Sequence, residues 1–233
     1  MKNKEKKPKV ILVVIVILSI FLALKNNKTS NTKQTNKKTF TESVDTSSFV
    51  SFSDWCLNQD ELRQSTRNTI DELLNEVDTF DCNLANKRLL NLSYVIFHGK
   101  DDKSLDLRPF RSLNHLRSIN ISYGNISDLT PLRYSENLKS LDLGANNISD
   151  ISTLQYLTEL KELKLGQNNV YDISPLASLS KLEKIVLSGN NISDISPLQS
   201  LQNLDTVYLN DNQIKDETCP VKPERTCVFF LRN

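Results

Sequence analysis

Apolar positions recur along residues 116–209 with a fixed period of 22. Leu116, Leu138, Leu160, Leu182 and Leu204 each open a unit, and apolar residues follow three and five positions later: Ile119 and Ile121, Leu141 and Leu143, Leu163 and Leu165, Ile185 and Leu187, Val207 and Leu209. The alternation of apolar and polar residues around each pair predicts a short half-buried strand, and five such strands in register predict a parallel sheet. The return to the next strand takes only about 15 residues, short for a helical crossover, so it is expected to consist of turns and 3₁₀ pieces. Ile126, Leu129 and Leu132, with their equivalents at 148/151/154, 170/173/176 and 192/195/198, face the strands from that leg. A buried aliphatic side chain contributes about 1.5–3 kcal/mol, and one unit alone encloses too few of them to hold its shape. The pattern therefore predicts a solenoid.

Three polar columns repeat with the same period. Asn146, Asn168, Asn190 and Asn212 stand where the chain leaves the strand, and a primary amide there can satisfy backbone groups that a turn leaves unpaired. Asp128, Asp150, Asp172, Asp194 and Asp216 precede the return leg, where a carboxylate caps the first turn; this reading leaves no calcium or acid–base role for the column. Pro131, Pro175 and Pro197 suit a first helical position, with Thr153 as the exception. Gly124 replaces the Asn in the first clear repeat, and Ser135 replaces the Leu found at 113, 157, 179 and 201, a gap that Tyr134 is expected to fill in part. Upstream, the run Asp106–Phe110 with Leu113 ends an earlier and slightly longer repeat. Its strand is expected at Leu92–Phe97, with Val95 and Phe97 inward and the excess in the loop His98–Ser104.

Terminal repeats expose a core edge and need lids. Ile70, Leu73, Leu74 and Val77 have the spacing of one helix face in a pattern that opens at Ser65, with Phe52, Trp55 and Leu57 just before it. Cys56 and Cys82 bracket that segment; Cys219 and Cys227 bracket the far end, followed by Val228–Leu231. Four cysteines allow three connectivities. Pairing within each cap is the favoured reading, with metal binding as the alternative, although no C-x-x-C is present and neither histidine adjoins a cysteine. Disulfides would place the chain in an oxidising compartment.

Met1–Lys9 is basic, and Val10–Leu24 contains one polar residue, Ser19. A signal anchor that leaves the N-terminus inside is the reading adopted for 10–24; a cleaved signal peptide, giving a secreted protein, is the alternative. Residues 25–50 are polar and lysine-rich and predict a disordered tether. The first 40 residues hold ten of the 29 basic residues and one of the 28 acidic ones, which leaves 19 against 27 and a net charge near −8 for the remainder. That sign excludes nucleic acid as a natural partner. The resulting organisation is a basic start (1–9), an anchor (10–24), a tether (25–50), a helical cap (51–89), about six repeats (90–216) and a C-terminal cap (217–233).

The motif L-x-x-L-x-L-x-x-N-x-I-x-D-I-S-P-L resembles the 22-residue class of leucine-rich repeats found in internalins and in phosphatase-regulating repeat proteins. The segments F-S-D-W-C and D-C-N-L-A-N, and K-D-E-T-C-P-V-K-P at the far end, are similar to the caps of small bacterial, internalin-like envelope proteins. The resemblance implies an α/β solenoid, a horseshoe with its parallel sheet on the concave face. It implies protein or peptide binding there, with no cofactor, metal, catalytic residue or small-molecule substrate. While the scaffold columns stay constant, the outward strand positions differ: Asn120, Asp142, Lys164, Val186 and Tyr208 in the central column, Glu162 and Lys184 in the one before it, and Tyr123 in the one after it. Those eight are the candidate contact residues, with Val186 and Tyr208 as the hot-spot pair. A membrane-anchored extracytoplasmic interaction module is the leading reading. A structural envelope spacer and a cytosolic regulator or inhibitor of an enzyme are the alternatives, and an enzyme is excluded by the lack of any nucleophile–base or phosphate-loop motif.

Overall fold

The computed structural model describes residues 45–99, 103–223 and 226–230; the segments read as basic start and anchor, and the tether up to residue 44, lie outside them. The described chain begins with helices α1 (Phe52–Leu57), α2 (Gln64–Glu76) and α3 (Cys82–Leu89). A capping box starts α1: the Ser51 hydroxyl accepts the Asp54 N–H while the Asp54 carboxylate accepts the Ser51 N–H. Phe52, Trp55 and Cys56 share one face of α1 and are buried, whereas Leu57 falls off that i, i+3, i+4 stripe and is exposed. Helix α2 buries Ile70, Leu73 and Leu74, with Val77 as its C-cap, and starts at Gln64 behind an Arg63 N-cap that makes no side-chain bond, so Ser65 does not open it. Helix α3 was not anticipated. Asp81 caps it by accepting the Asn83 and Leu84 N–H groups, and Ala85 and Leu89 turn inward.

The cap is joined to the array by polar contacts from α2. Asn68 donates to the Ser104 carbonyl at 2.9 Å, Asp106 N–H donates to Thr69 Oγ1, and Thr66 bonds both Asp106 and Arg108. One disulfide, Cys56–Cys82, ties α1 to α3; the other, Cys219–Cys227, closes the C-terminal loop.

Strands β1 (Tyr94–His98), β2 (Ser118–Ser122), β3 (Ser140–Asp142), β4 (Glu162–Lys164), β5 (Lys184–Val186), β6 (Thr206–Tyr208) and β7 (Cys227–Val228) form one parallel sheet in chain order. Ile119 pairs with Leu141, Leu141 with Leu163, Leu163 with Ile185 and Ile185 with Val207, as the repeat period requires. The first strand is Tyr94–His98 rather than Leu92–Phe97; Val95 and Phe97 do point inward, and Leu92 packs against the core without joining the ladder. The seventh strand, absent from the expected six, follows directly from Cys227, which the disulfide holds beside Val207.

Each return leg from β1 to β6 carries a 3₁₀ segment: Arg108–Ser112, Thr130–Tyr134, Ser152–Tyr156, Ser174–Ser178 and Ser196–Ser200. Asp128, Asp150, Asp172 and Asp194 each accept the backbone N–H two residues on, at 2.8–2.9 Å, and so cap the first residue of a segment. Pro131, Pro175 and Pro197 occupy the second position of their segments rather than the first; the missing donor is harmless there too, because the opening N–H groups of a helix have no partner within it.

The Asn ladder closes the turns. Asn168 Oδ1 accepts the Ile148 N–H at 2.9 Å, and its amide donates to the Leu143 and Leu165 carbonyls at 2.9 and 3.0 Å. Asn190 repeats this one turn later with Val170, Leu165 and Leu187. At Gly124 the ladder stops for a visible reason. A Cβ there would stand 2.9 Å from Leu105 Cδ1 and 3.3 Å from Ile126 Cδ1, and the preceding turn is held instead by Leu105 N–H donating to the Gly124 carbonyl. Gly124→Asn, although it restores the repeat consensus, is therefore expected to destabilise the fold by about 1–3 kcal/mol through overpacking. An unchanged or raised urea midpoint would contradict this. The gap at Ser135 is closed differently from expectation. Ser135 is itself buried and bonded through its backbone to Leu132 and Leu138, while Tyr134 is 61% exposed and fills nothing.

Candidate functional site

The outward strand positions assemble into rows that run across the sheet. The central row reads Ile96, Asn120, Asp142, Lys164, Val186, Tyr208, Val228, each the register partner of the next. Glu162 and Lys184 lie in the neighbouring row on β4 and β5. Tyr123 stands beyond β2 in a left-handed conformation, φ 57°, shared by Ala145, Gln167, Gly189 and Asp211 at the equivalent turns. All eight candidate residues thus lie on one face, with Val186 and Tyr208 in direct register.

The centre of that face is internally neutralised. Lys164 Nζ lies 3.4 Å from Asp142 and 3.3 Å from Glu162, and Lys184 Nζ lies 3.4 Å from Glu162. Partial burial pushes the Glu162 carboxyl up, but hydrogen bonds and charge from Lys164 and Lys184 outweigh it and hold the group below the ordinary 4.5. Partial burial likewise pulls the Lys164 ammonium down, and Glu162 and Asp142 raise it above 10.5. A depressed carboxylate stabilises the fold above its unfolded value and stops doing so as pH falls through its folded one. Asp54 is lowered too, by hydrogen bonds from its N-cap partner Ser51, and Asp150, Asp194 and Asp216 by hydrogen bonds from Ser152, Ser196 and Thr218 two residues on. The urea midpoint is therefore expected to stay level from about pH 8 to pH 5 and to fall below about pH 4. A midpoint that rose on acidification would contradict these pairings.

Around this centre lie less polar margins. At the N-terminal end Tyr94 and Ile96 are about half exposed, at 53% and 48%, and His98 Nδ1 is 2.6 Å from the Ser122 hydroxyl. Tyr123, 65% exposed, borders with His98, Asn120 and Asp142 a groove of about 360 Å³, which meets a second hollow of about 550 Å³ beside Val186 and Tyr208. Ile96, Tyr94, His98 and Val228 were missed as members of this face. Ile96 sits in the run Tyr94-Val95-Ile96-Phe97, where only the register separates inward from outward residues, and Val228 belongs to a strand outside the 22-residue period. Among the described residues no group of three His, Cys, Asp or Glu side chains is placed to hold a metal ion.

The model for the family described as Leucine Rich repeats (2 copies) matches residues 136–178 and 180–218. An internalin (inlF) from Listeria monocytogenes superposes with a TM-score of 0.57 at 29% identity, covering 64% of this chain and 44% of its own. Internalin C2 from the same organism gives 0.50 at 26% identity, covering 70% and 91%. A leucine-rich repeat protein of Leptospira interrogans shares the fold, with a TM-score of 0.52 at 22% identity over 60% of this chain and 36% of its own. This chain thus spans less than half of the internalin from the inlF gene and most of internalin C2. No curated protein sequence matches it. The chain has a leucine-rich repeat fold. Its 22-residue repeats are similar to those of the two internalins.

Proposed function

We propose that the chain is a membrane-anchored, extracytoplasmic interaction module that binds a protein or peptide partner on its concave face and catalyses nothing. The observation that carries this reading is the chemistry of the central row, where Val186, Tyr208 and Val228 lie side by side and half-buried at one end of a sheet whose centre has neutralised its own charges. A partner that covers this row gains apolar burial and need not strand an unpaired charge. Two disulfides fit an oxidising compartment. The basic-then-apolar start of the sequence supplies the anchor; among the described residues no helix is long and apolar enough to cross a membrane. The seven strands give a face about 29 Å long, which suits an extended segment or one side of a small domain. The test is cross-linked capture from the host envelope with the full chain and with a Lys164→Ala/Tyr208→Ala variant. A partner retained by the first and depleted at least tenfold with the second supports binding here; equal capture would leave a structural spacer as the role.

A further inference from the structure

The two hollows of the concave face share Gln167, Val186 and Ser188, so they form one channel. It crosses the sheet from the end of β2 to β6, four strand steps of about 4.8 Å, which makes it about 19 Å long. The central row borders it on one side. The left-handed turn residues, from Tyr123 through Gln167 to Asp211, border it on the other. Between the two borders lie Ser122, Gly144, Gly166 and Ser188, which leave the space above the backbone open.

Both ends of the channel are apolar. Tyr123 stands 65% exposed at one, and Val186 with Tyr208 flanks the other. A left-handed turn suits glycine or asparagine, so nothing in the scaffold calls for an aromatic ring at Tyr123, φ 57°. The middle is polar, and its charges are already engaged. Asp142 accepts the Gly144 N–H at 3.2 Å and pairs with Lys164, which also pairs with Glu162. Two carboxamides beside them are not engaged. Among the described residues neither the Asn120 nor the Gln167 side chain has a hydrogen-bond partner, and both line the channel. Each carries a donor and an acceptor, the pair that a peptide group requires.

Building on the function proposed above, we propose that the partner lies in this channel as an extended segment, with one apolar side chain against Tyr123, a second against Val186 and Tyr208, and uncharged residues between. An extended chain advances about 3.3 Å per residue and returns to the same face every second residue, so side chains about 19 Å apart stand six positions apart. The backbone of the segment bonds Asn120 and Gln167, while the two end contacts select its side chains. A charged residue in the middle would be desolvated beside a pair, Asp142 and Lys164, that already satisfies itself. A channel bordered on both sides admits one chain, whereas the surface of a folded domain would rest on its edges and leave it empty.

A library of random dodecapeptides displayed on phage, selected on the full chain in nonionic detergent, supplies the probe. Enriched sequences are expected to carry aliphatic or aromatic residues at positions i and i+6 with no charge between them. The most enriched sequence, synthesised with a fluorescein label, should bind at least tenfold more weakly to Tyr123→Asn and to Tyr208→Ala. Gly144→Val should weaken it as much by filling the channel. A Cβ at Gly144 meets nothing closer than 3.5 Å and its backbone is not left-handed, so the fold accepts a side chain there. Urea midpoints matching the wild type check that the variants are folded. Moving the second apolar residue of the peptide to i+3 should cost the same tenfold. No enrichment, a single apolar position, a charged middle, or indifference to Tyr123→Asn would each overturn the proposal. If the peptide fails in any of these ways while capture from the host still depends on Lys164 and Tyr208, binding on the concave face stands and only the extended segment falls.

Discussion

Asn168→Ala is expected to lower the unfolding free energy by about 2–4 kcal/mol, and Asn168→Asp by more, although Asp is the closer match in shape. The amide serves four backbone groups, the Gly166 carbonyl only at 3.4 Å, and not equally. The Leu143 carbonyl also receives the Asn146 amide, and the Leu165 carbonyl also receives that of Asn190. Both keep a partner when Asn168 is truncated. The Ile148 N–H has Asn168 Oδ1 as its acceptor, and it is left buried and unpaired beside the space the side chain filled. Aspartate would keep that acceptor, yet it would turn a second oxygen on two carbonyls that had been receiving donors. Asn212, half-buried at the end of the ladder, makes the same bonds with water close by, so Asn212→Ala should cost less. Urea denaturation of the four proteins decides this. Aspartate milder than alanine, or equal losses at 168 and 212, would show that the ladder acts by packing rather than by hydrogen bonding.

The second large effect is expected at the N-terminal lid. Cys56 and Cys82 are 26 residues apart, and their bond removes about 3.5 kcal/mol of loop freedom from the unfolded chain; the eight-residue separation of Cys219 and Cys227 removes about 2.5 kcal/mol. Cys56→Ala/Cys82→Ala should therefore be the more damaging pair. Cys56 also lies on the buried face of α1 with Phe52 and Trp55, and α1 packs on α3 and on the 3₁₀ segment Arg108–Ser112, so losing the bond loosens the lid there. Thermal unfolding with and without reductant tests both. If reduction leaves the midpoint unchanged, or if the C-terminal pair proves the costlier, chain entropy is not the main contribution of these bonds.

The repeat interior was legible in the sequence because each position there answers to a single constraint. Leu116, Leu138 and their successors must be buried, and Asn146 and Asp150 must meet backbone groups at fixed points of a turn. The ends were less legible because their constraints are not periodic. Helix α3 is two turns long and Asn-rich, too short for a face to stand out, and its start is marked only by Asp81. Strand β7 is two residues long and owes its place to a disulfide. Tyr134 looked like a substitute for the missing leucine at 135 because volume was counted without direction; its place at the end of a 3₁₀ segment turns it to solvent. The candidate face was legible as columns, since outward positions follow from inward ones. Which of its charges neutralise one another was not, because only side-chain reach lets Lys164 pair with both Asp142 and Glu162.

The Asn ladder also has a direction. Asn146 serves Gly124 and Ile126, Asn168 serves Ile148, Asn190 serves Val170 and Asn212 serves Ile192, so each turn receives its acceptor from the turn that follows it. A chain leaves the ribosome N-terminus first. No turn of this one can be completed until its successor has also emerged, so ordered structure must trail the growing end by a full repeat. The last complete turn waits for the segment around Asn212, close to the end of the described chain. The newest stretch consequently stays pliable until late, and each repeat sets only once its successor is in place.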